Sequence, residues 1–579
     1  MITASCTPIK KGIKMENPAI KAYENYKKLS AKPFTSMTTV NLNVLYNILC
    51  FARRNAEYRE SLLAYETEEG ESIISLVEKY FEDYNAQYGL DIRDTLTEFE
   101  DPSLASGSYF MITTYKISDV GERVLTAPTE FKKGDKVLVE ATLYSHADDT
   151  PAIAPKLHAA WLDDDAKSGE SLVQNSSSIE FELTLSREGC TKFKVIAENE
   201  CGKLIPGSET AYGGVVFSRE KIKATHEPPN DLYEFWDEEI EKMYLVDPRG
   251  ETSDGYEGDV AWLFDMPNKN FADIKKLGEE DFEALLENKL SAPDKELLNS
   301  YDFYRIYLKC PGPCHASGYL TIPRGKKKDS VAIQISYDGY GMNSPPIRTV
   351  EDKICFHCTH HGYELGHPKK EYYDKLGGDG CILSAYGAGL DRPNSGYDDI
   401  HDCYMLYLNL RNMQMLRYIT DENLSGDIDM LHEIWNGEIE FFGGSMGGYQ
   451  AICSSALAHF IKKRGAKFNI TLTTANVPAY CNLAGITDKR IPHIVRFYRD
   501  GMDYFDPATL AHLIDNPVSI PRIGLGDEAC PATNIISFYN SLKCDIGLDV
   551  AFLQNSSHGY VPKTSKQSWY RYSYPKKTT

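Results

Sequence analysis

The first hundred residues place apolar side chains at helical spacing. Residues 40–65 and 71–88 repeat apolar positions every three or four residues, the period of an amphipathic helix. Leu42, Leu45 and Leu49 are examples from the first segment. We therefore predict that residues 1–100 form a helical region of unknown role, beginning with a polar, lysine-rich lead. Packing of its apolar face on the rest of the chain is favoured over a helical adaptor for a partner.

From residue 101 the pattern changes to short alternating runs separated by turn residues. The runs cover residues 110–117, 136–144, 156–161, 179–185, 192–197 and 213–217. This spacing is typical of an antiparallel β-sandwich of immunoglobulin-like type. We predict such a sandwich over residues 101–222, where support of the next domain is favoured over carbohydrate binding. Asp163-Asp164-Asp165 lacks the ligand spacing of a calcium loop, so a solvated turn is expected there.

Residues 223–579 mix strand-like and helical runs. A helical pattern covers residues 232–243, and residues 303–322 alternate as two strands. Strand-like runs interspersed with helical ones follow at 330–336, 354–359, 404–419, 439–442, 450–460, 470–474, 521–525 and 550–553. Such alternation calls for a parallel sheet covered by helices on both faces. The predicted fold class is α/β, with boundaries near residues 100 and 222.

Size and charge narrow the function classes. A chain of 579 residues exceeds the roughly 250–300 residues at which one apolar core stops growing, so several domains are expected. The net charge of −22 disfavours nucleic acids and anionic membranes as partners, whereas a neutral small molecule meets no such barrier. No run approaches the roughly 18 apolar residues of a membrane span, and residues 1–21 lack a secretory signal. The chain is predicted to be cytoplasmic, although a secreted chain trimmed of its leader would have the same pattern.

The fourteen cysteines are scattered along the chain, and several lie in apolar runs. Buried thiols in a reducing compartment are therefore favoured over disulfides. Cys310-x3-Cys314 and Cys355-x2-Cys358, with His357, His360, His361 and His367 nearby, raise the question of a zinc site. Both pairs fall on or beside predicted strands, whose alternate residues point to opposite faces, so no metal or other cofactor is predicted.

The central chemical signal is Gly443-Gly444-Ser445-Met446-Gly447. An apolar strand, residues 439–442, leads into this G-x-S-x-G pattern, and a helix-forming stretch begins at Gln450. In that context the glycines allow a turn tight enough to present a serine hydroxyl above a sheet. Ser445 is thus the predicted nucleophile of an α/β-hydrolase.

A serine nucleophile needs a base and an orienting carboxylate, which in this fold follow it in the order acid, then histidine. Asp527 ends an apolar strand in a Gly-Asp turn, and His558 follows the next strand. Asp506 and Glu528 are lesser candidates for the acid. The other histidines after the serine (His459, His493 and His512) all precede Asp527, so His558 is the predicted base.

The tetrahedral intermediate requires two fixed N–H donors. One is expected from the backbone of Met446, the residue after the nucleophile. The second should come from a loop after an early strand. Residues 333–337 open into a glycine-bearing turn, which makes the N–H of Tyr340 the candidate, with an ordinary strand-end turn as the alternative.

Several motifs together resemble those of the acetyl xylan esterase and cephalosporin C deacetylase family, carbohydrate esterase family 7. The matching segments are residues 228–236 and 303–323, Asp338-Gly339-Tyr340-Gly341, His361-Gly362-Tyr363, residues 443–448, Gly526-Asp527-Glu528-Ala529-Cys530-Pro531 and His558-Gly559. The resemblance covers roughly residues 225–570, and the Gly-Asp-x-x-Cys-Pro segment is its most specific part. The family usually has His-Gly-Tyr at 338–340, Arg-Gly-Gln at 361–363 and Gln at position 446, where this chain differs.

The resemblance implies a metal-independent serine esterase that removes acetyl groups from small acetylated sugars. Ser445, Asp527 and His558 would form the triad, with Tyr340 and Met446 as oxyanion donors. It also implies a homo-oligomer, the family's ring-shaped hexamer, which the additional 220 N-terminal residues could block. A serine peptidase or lipase-like hydrolase on the same fold, and a catalytically silent binding protein, are the alternatives.

Overall fold

The computed structural model describes residues 17–34, 37, 39–89, 91–96, 107–146, 149–205, 207–250, 270–288, 290–312, 314–340, 346–359, 365–366, 399–561 and 569–574. Its architecture is mixed α/β, as predicted. The α-helices are α1 Pro18–Ser30, α2 Thr39–Arg54, α3 Ala56–Ala64, α4 Ile73–Tyr88, α5 Leu232–Tyr244, α6 Glu279–Glu287, α7 Tyr404–Thr420, α8 Glu422–Ser425, α9 Leu431–Ile434, α10 Met446–Lys463, α11 Pro507–Leu510 and α12 Ala532–Asn540.

The strands are β1 Ser108–Ile117, β2 Arg123–Leu125, β3 Lys136–Ser145, β4 Ala154–Asp163, β5 Ser168–Ser176, β6 Ser178–Leu183, β7 Gly189–Glu198, β8 Ala211–Phe217, β9 Asp273–Leu277, β10 Tyr301–Leu308, β11 Ala316–Pro323, β12 Val331–Tyr337, β13 Lys353–Thr359, β14 Trp435–Gly444, β15 Asn469–Asn476, β16 Val518–Gly524, β17 Leu548–Leu553 and β18 Trp569–Tyr574. Short 3₁₀ helices cover Ile92–Thr95, Arg219–Lys221, Lys295–Asn299, Leu483–Asp488, Asp500–Tyr504 and Ala511–Leu513.

The four N-terminal helices share an apolar cluster that includes Leu45, Val77 and Phe81. Helix α1 lies where the sequence pattern indicates only a polar lead. The predicted continuous segment 40–65 is two helices, because Asn55 separates them and its side chain accepts the N–H of Tyr58 at 3.0 Å. An asparagine in that position satisfies an N–H that would otherwise lack a partner in the first turn of α3.

Two four-stranded antiparallel sheets follow, in the orders β2-β1-β3-β6 and β5-β4-β7-β8 among the described residues. They enclose an apolar cluster that includes Val139, Leu157, Phe181 and Val195. Strands β2 and β5 are not anticipated by the sequence pattern. Strand β5 has no buried residue and β2 is exposed throughout, so neither carries the apolar alternation that identifies a strand.

The aspartate run 163–165 is not the solvated turn that the sequence suggests. Asp164 is completely buried, and its carboxylate lies 3.3 Å from the Arg490 guanidinium, which is also buried. The same carboxylate accepts the N–H groups of Cys190 and Ile491. A buried charge needs such partners, and here they join the second sheet to a loop that is more than 300 residues away in sequence.

The largest sheet in the described part has ten strands, in the order β18-β17-β16-β15-β14-β12-β13-β11-β10-β9. Its middle strands, from β13 through β17, pair in parallel, whereas both ends are antiparallel. Helix α10 follows β14 directly and packs on the sheet through an apolar cluster that contains Ile333, Phe441 and Tyr449. Because parallel strands end at the same edge, the loops after β12, β14, β16 and β17 meet there. None of the described helices is long and apolar enough to cross a membrane.

Candidate active site

Ser445 occupies a sharp turn between β14 and α10. Its backbone has φ 57° and ψ −119°, a conformation rarely adopted by a residue with a side chain. Three backbone hydrogen bonds hold it there: the Ser445 N–H donates to the Asn476 carbonyl at 2.9 Å, and the Ser445 carbonyl accepts the N–H groups of Tyr449 and Ala479 at 3.0 Å. Such strain costs on the order of 1–3 kcal/mol and persists only where the surroundings enforce it.

The glycines on either side of Ser445 allow this turn. A Cβ atom on Gly443 would lie 2.1 Å from the Gly447 carbonyl oxygen, and one on Gly447 would lie 2.3 Å from the Tyr337 carbonyl oxygen. Strand β14, helix α10 and the neighbouring strand β12 therefore approach one another more closely than a side chain at either glycine would permit. The geometry explains why the sequence needs glycine two residues before and two residues after the serine.

The structure brings Ser445, His558 and Asp527 together. His558 Nε2 lies 2.9 Å from Ser445 Oγ, and His558 Nδ1 lies 2.9 Å from Asp527 Oδ2. Asp527 and His558 follow β16 and β17, which pair in parallel. Because the Asp527 carboxylate can only accept a hydrogen bond, Nδ1 of His558 carries the proton and donates it. The unprotonated Nε2 then accepts the hydrogen bond of the serine O–H. This is the arrangement that activates a serine hydroxyl for attack.

The carboxylate of Asp527 is fully buried and fixed at both oxygens. Its Oδ1 accepts the N–H groups of Ala529 and Cys530, each at 2.8 Å, which leaves Oδ2 for His558. Burial lowers the pKa of His558, but the hydrogen bond and negative charge of Asp527 outweigh burial and raise that pKa above the usual histidine value. The carboxylate therefore favours the protonated form of His558.

Asp506 and the three other histidines after the serine have partners elsewhere. Asp506 accepts the N–H groups of Asn482, Leu483 and Ala508. His493 accepts the Tyr480 N–H at 2.8 Å, and burial lowers its pKa to about 3. His459 lies 3.2 Å from the Tyr233 hydroxyl, and His512 lies 2.8 Å from the Thr509 carbonyl. Glu528 neighbours Asp527 and lines a cleft of about 300 Å³ against the second four-stranded sheet.

The predicted oxyanion donors lie beside the nucleophile. Met446 is the first residue of α10, where backbone N–H groups have no partner within the helix. A Cβ built on Gly339 would lie 3.9 Å from the Ser445 Cβ, which places the turn that carries Tyr340 next to the serine. Asp338, which precedes Gly339, is buried, and its carboxylate lies 2.9 Å from His357 Nε2. These two buried side chains lie side by side where the turn after β12 begins.

The cysteines raised in the zinc question are mainly buried thiols. Burial raises the pKa of Cys310 to about 12 and that of Cys355 to about 11. Cys358 is buried as well, whereas Cys314 is half-buried; His360, His361 and His367 lie outside the described residues. Among the described side chains, the group close enough to share a metal ion is Asp527, Cys530 and His558, with ligand atoms within 4.8 Å of one another. Asp527 and His558 are already paired with each other through the 2.9 Å contact between Oδ2 and Nδ1.

Sequence reasoning missed several residues around the base. The Arg522 guanidinium donates to the His558 carbonyl at 3.0 Å. Gln554 and Asn555, four and three residues before His558, bind the backbone of the four-stranded sheets. A local pattern of residue types cannot predict contacts between residues so distant in sequence.

The comparisons with known proteins return structural similarity without a sequence match. No protein-family model matches the chain, and no curated protein matches it. The structure is similar to acetyl xylan esterase 1 from Thermoanaerobacterium sp. JW/SL YS485, with a TM-score of 0.39 and 16% identity over 60% of this chain and 93% of that one. It is also similar to the acetyl xylan esterase from Paenibacillus sp. R4, with a TM-score of 0.38 and 16% identity over 59% of this chain and 94% of that one. With similarity at this level, the reaction has to be inferred from the geometry of the side chains.

Proposed function

We propose that the protein is a serine esterase in which Ser445, His558 and Asp527 form the catalytic triad. The observation that carries the proposal is the pair of 2.9 Å contacts that link the serine hydroxyl, the imidazole and a buried carboxylate. The strained turn at Ser445 supports it independently, because such strain is typical of functional positions.

The proposed reaction has two steps. His558 takes the Ser445 proton as the serine oxygen attacks the ester carbonyl, and the N–H groups of Met446 and Tyr340 stabilise the resulting oxyanion. The alcohol leaves with the proton from His558, and an acyl group remains on the serine. Water, deprotonated by His558, then attacks the acyl-enzyme and releases the acid. The chain itself supplies the nucleophile, the base and the oxyanion donors.

We propose small acetylated carbohydrates as the substrate class. Support comes from the motif resemblance around Asp527 and His558, and from the net charge of −22, which favours a neutral substrate over an anionic one. A small acyl pocket would give acetyl selectivity, because each additional methylene is resisted by roughly 1–3 kcal/mol.

We also propose three domains: a helical region at 1–100, an immunoglobulin-like sandwich at 101–222 and an α/β-hydrolase domain at 223–579. The separate apolar clusters of the described residues support this division, since one lies mainly in the first segment, one mainly in the second and two in the third. The two four-stranded sheets face each other across their own cluster, which is the arrangement of a sandwich. A cytoplasmic location and a homo-oligomeric state stay predictions.

A substrate panel on wild type and Ser445→Ala tests the proposal. Acetate release from acetylated xylo-oligosaccharide and hydrolysis of p-nitrophenyl acetate in preference to the octanoate support it. The Ser445→Ala variant should lose at least about a thousandfold in kcat, because the nucleophile acts as a unit with its base. Ser541→Ala, the same change on a serine whose hydroxyl donates to the Ser537 carbonyl of α12, is the control. Cleavage of an aminoacyl anilide instead would indicate a peptidase, and silence of the wild type on every substrate would reject the hydrolase.

A further inference from the structure

Strand β8 is an edge strand of the second four-stranded sheet in the described chain, and it lies against the ends of β16 and β17. The Gly214 N–H donates to Gln554 Oε1 at 3.0 Å, and Gln554 Nε2 donates to the Gly214 carbonyl at 3.0 Å. One buried side-chain amide thus pairs with both backbone groups of an edge residue. Such groups on an edge strand otherwise point to solvent or to another chain.

Asn555 makes a second pair of contacts beside the first. Its Oδ1 accepts the Tyr212 N–H at 3.0 Å, and its Nδ2 donates to the Phe110 carbonyl at 3.0 Å. Asn555 is buried and has φ 55°, so its backbone turns sharply at this point. Three residues later the chain reaches His558.

The loop that carries the acid meets the same strand. A Cβ on Gly526 would lie 2.3 Å from the Tyr212 carbonyl carbon, and one on Gly214 would lie 2.3 Å from the Leu525 carbonyl oxygen. The two backbones are therefore in direct contact immediately before Asp527. Strand β8 touches the loops of both the acid and the base.

We propose that the sandwich strand β8 is part of the active-site support, and that Gln554 and Asn555 are positioning residues that hold His558 between Asp527 and Ser445. The inference rests on the proposed function. The two 2.9 Å contacts of the imidazole tolerate little displacement of its loop, and a misplacement of about 1 Å can cost about a hundredfold in rate. Four hydrogen bonds of two consecutive side chains fix that loop, three of them to β8 and one to Phe110 in β1 of the other four-stranded sheet.

Asn555→Gly isolates the side-chain contacts, because glycine adopts φ 55° without strain while both hydrogen bonds are lost. Gln554→Met, of similar size, removes the other pair. The control is Tyr572→Phe, which deletes the hydrogen bonds of a β18 hydroxyl to Thr129 and Glu130 and leaves the four hydrogen bonds of Gln554 and Asn555 in place. We expect a loss of about 10- to 100-fold in kcat on p-nitrophenyl acetate for both test variants, with KM within about threefold. The acidic limb of kcat/KM should also move to lower pH, because Asp527 is less able to support the imidazolium.

Hydrogen exchange of residues 555–560 supplies a readout that needs no turnover, and both test variants should exchange faster there than Tyr572→Phe. Equal kcat values for Asn555→Gly, Gln554→Met and the control, or unchanged exchange in the loop, would overturn the positioning role. A wild type that is silent on all esters would instead refute the proposed function, and the exchange data would still report whether β8 restrains the loop.

Discussion

Replacing Asp527 with asparagine tests whether this residue fixes the proton of His558 on Nδ1 in the proposed triad. The substitution preserves size and removes the charge. In the native protein one carboxylate oxygen accepts two backbone N–H groups, from Ala529 and Cys530, while the other accepts the imidazole N–H. The asparagine amide has one oxygen and one NH₂, so its oxygen can accept either the two backbone N–H groups or the imidazole N–H, but not both.

The structure indicates which direction the amide takes. With its oxygen toward His558, its NH₂ would face the N–H groups of Ala529 and Cys530 and leave one partly buried and one buried donor unsatisfied, at about 1–3 kcal/mol each. At 1.36 kcal/mol per tenfold, a total of about 2–6 kcal/mol disfavours that orientation by about 30-fold to about 25,000-fold. The NH₂ therefore faces Nδ1 and places the imidazole proton on Nε2, where it blocks acceptance of the serine proton.

We expect Asp527→Asn to lower kcat on p-nitrophenyl acetate by about 10³- to 10⁴-fold with a nearly unchanged melting temperature. Stopped-time assays at pH 8 and differential scanning calorimetry measure the two quantities. Glu528→Gln, the same chemical change on the next residue, is the control and should keep most of the wild-type rate. An Asp527→Asn enzyme within tenfold of wild type, alongside an inactive Ser445→Ala, would refute Asp527 as the acid.

Two further predictions follow from the same site. His558 can act as a base only when it is neutral, and Asp527 raises the pKa of His558. We therefore expect kcat/KM to rise with pH along a limb whose midpoint lies above the ordinary histidine pKa of about 6.5, and a midpoint below that value would contradict the contact. Gly447→Ala places a Cβ 2.3 Å from the Tyr337 carbonyl oxygen, and the required shift should destabilise the protein by about 1–3 kcal/mol and displace Ser445. The control is Gly278→Ala, whose added Cβ meets no atom within 4 Å. Thermal unfolding and esterase assays compare the two variants. Equal stability and activity of both would show that the turn at Gly447 can accommodate a side chain.

The candidate site is predictable from the sequence because its signals are local. The glycines around Ser445 and the Gly-Asp turn before Asp527 encode tight turns directly after apolar strands, and chain order leaves His558 as the histidine beyond the acid. The structure places these three side chains within hydrogen-bonding distance.

Elements without a strong apolar pattern are not predictable in this way. Helix α1 buries few side chains, among them Ala19, Ala22 and Tyr23, so its sequence resembles a polar tail. Strand β5 is recognised as a strand only through its pairing with β4. The burial of Asp164 depends on Arg490, a partner that no local window contains.

The contacts of Asn555 and Gln554 have a consequence for the order of events during synthesis. Their partners, Phe110 and residues 212–214, are translated several hundred residues before them. Because domains generally fold as units from the N-terminus as the chain emerges, the two four-stranded sheets can be in place when the His558 loop leaves the ribosome. The imidazole then packs against sheets that have already formed, so the proposed catalytic site would be completed only after residue 558 has emerged.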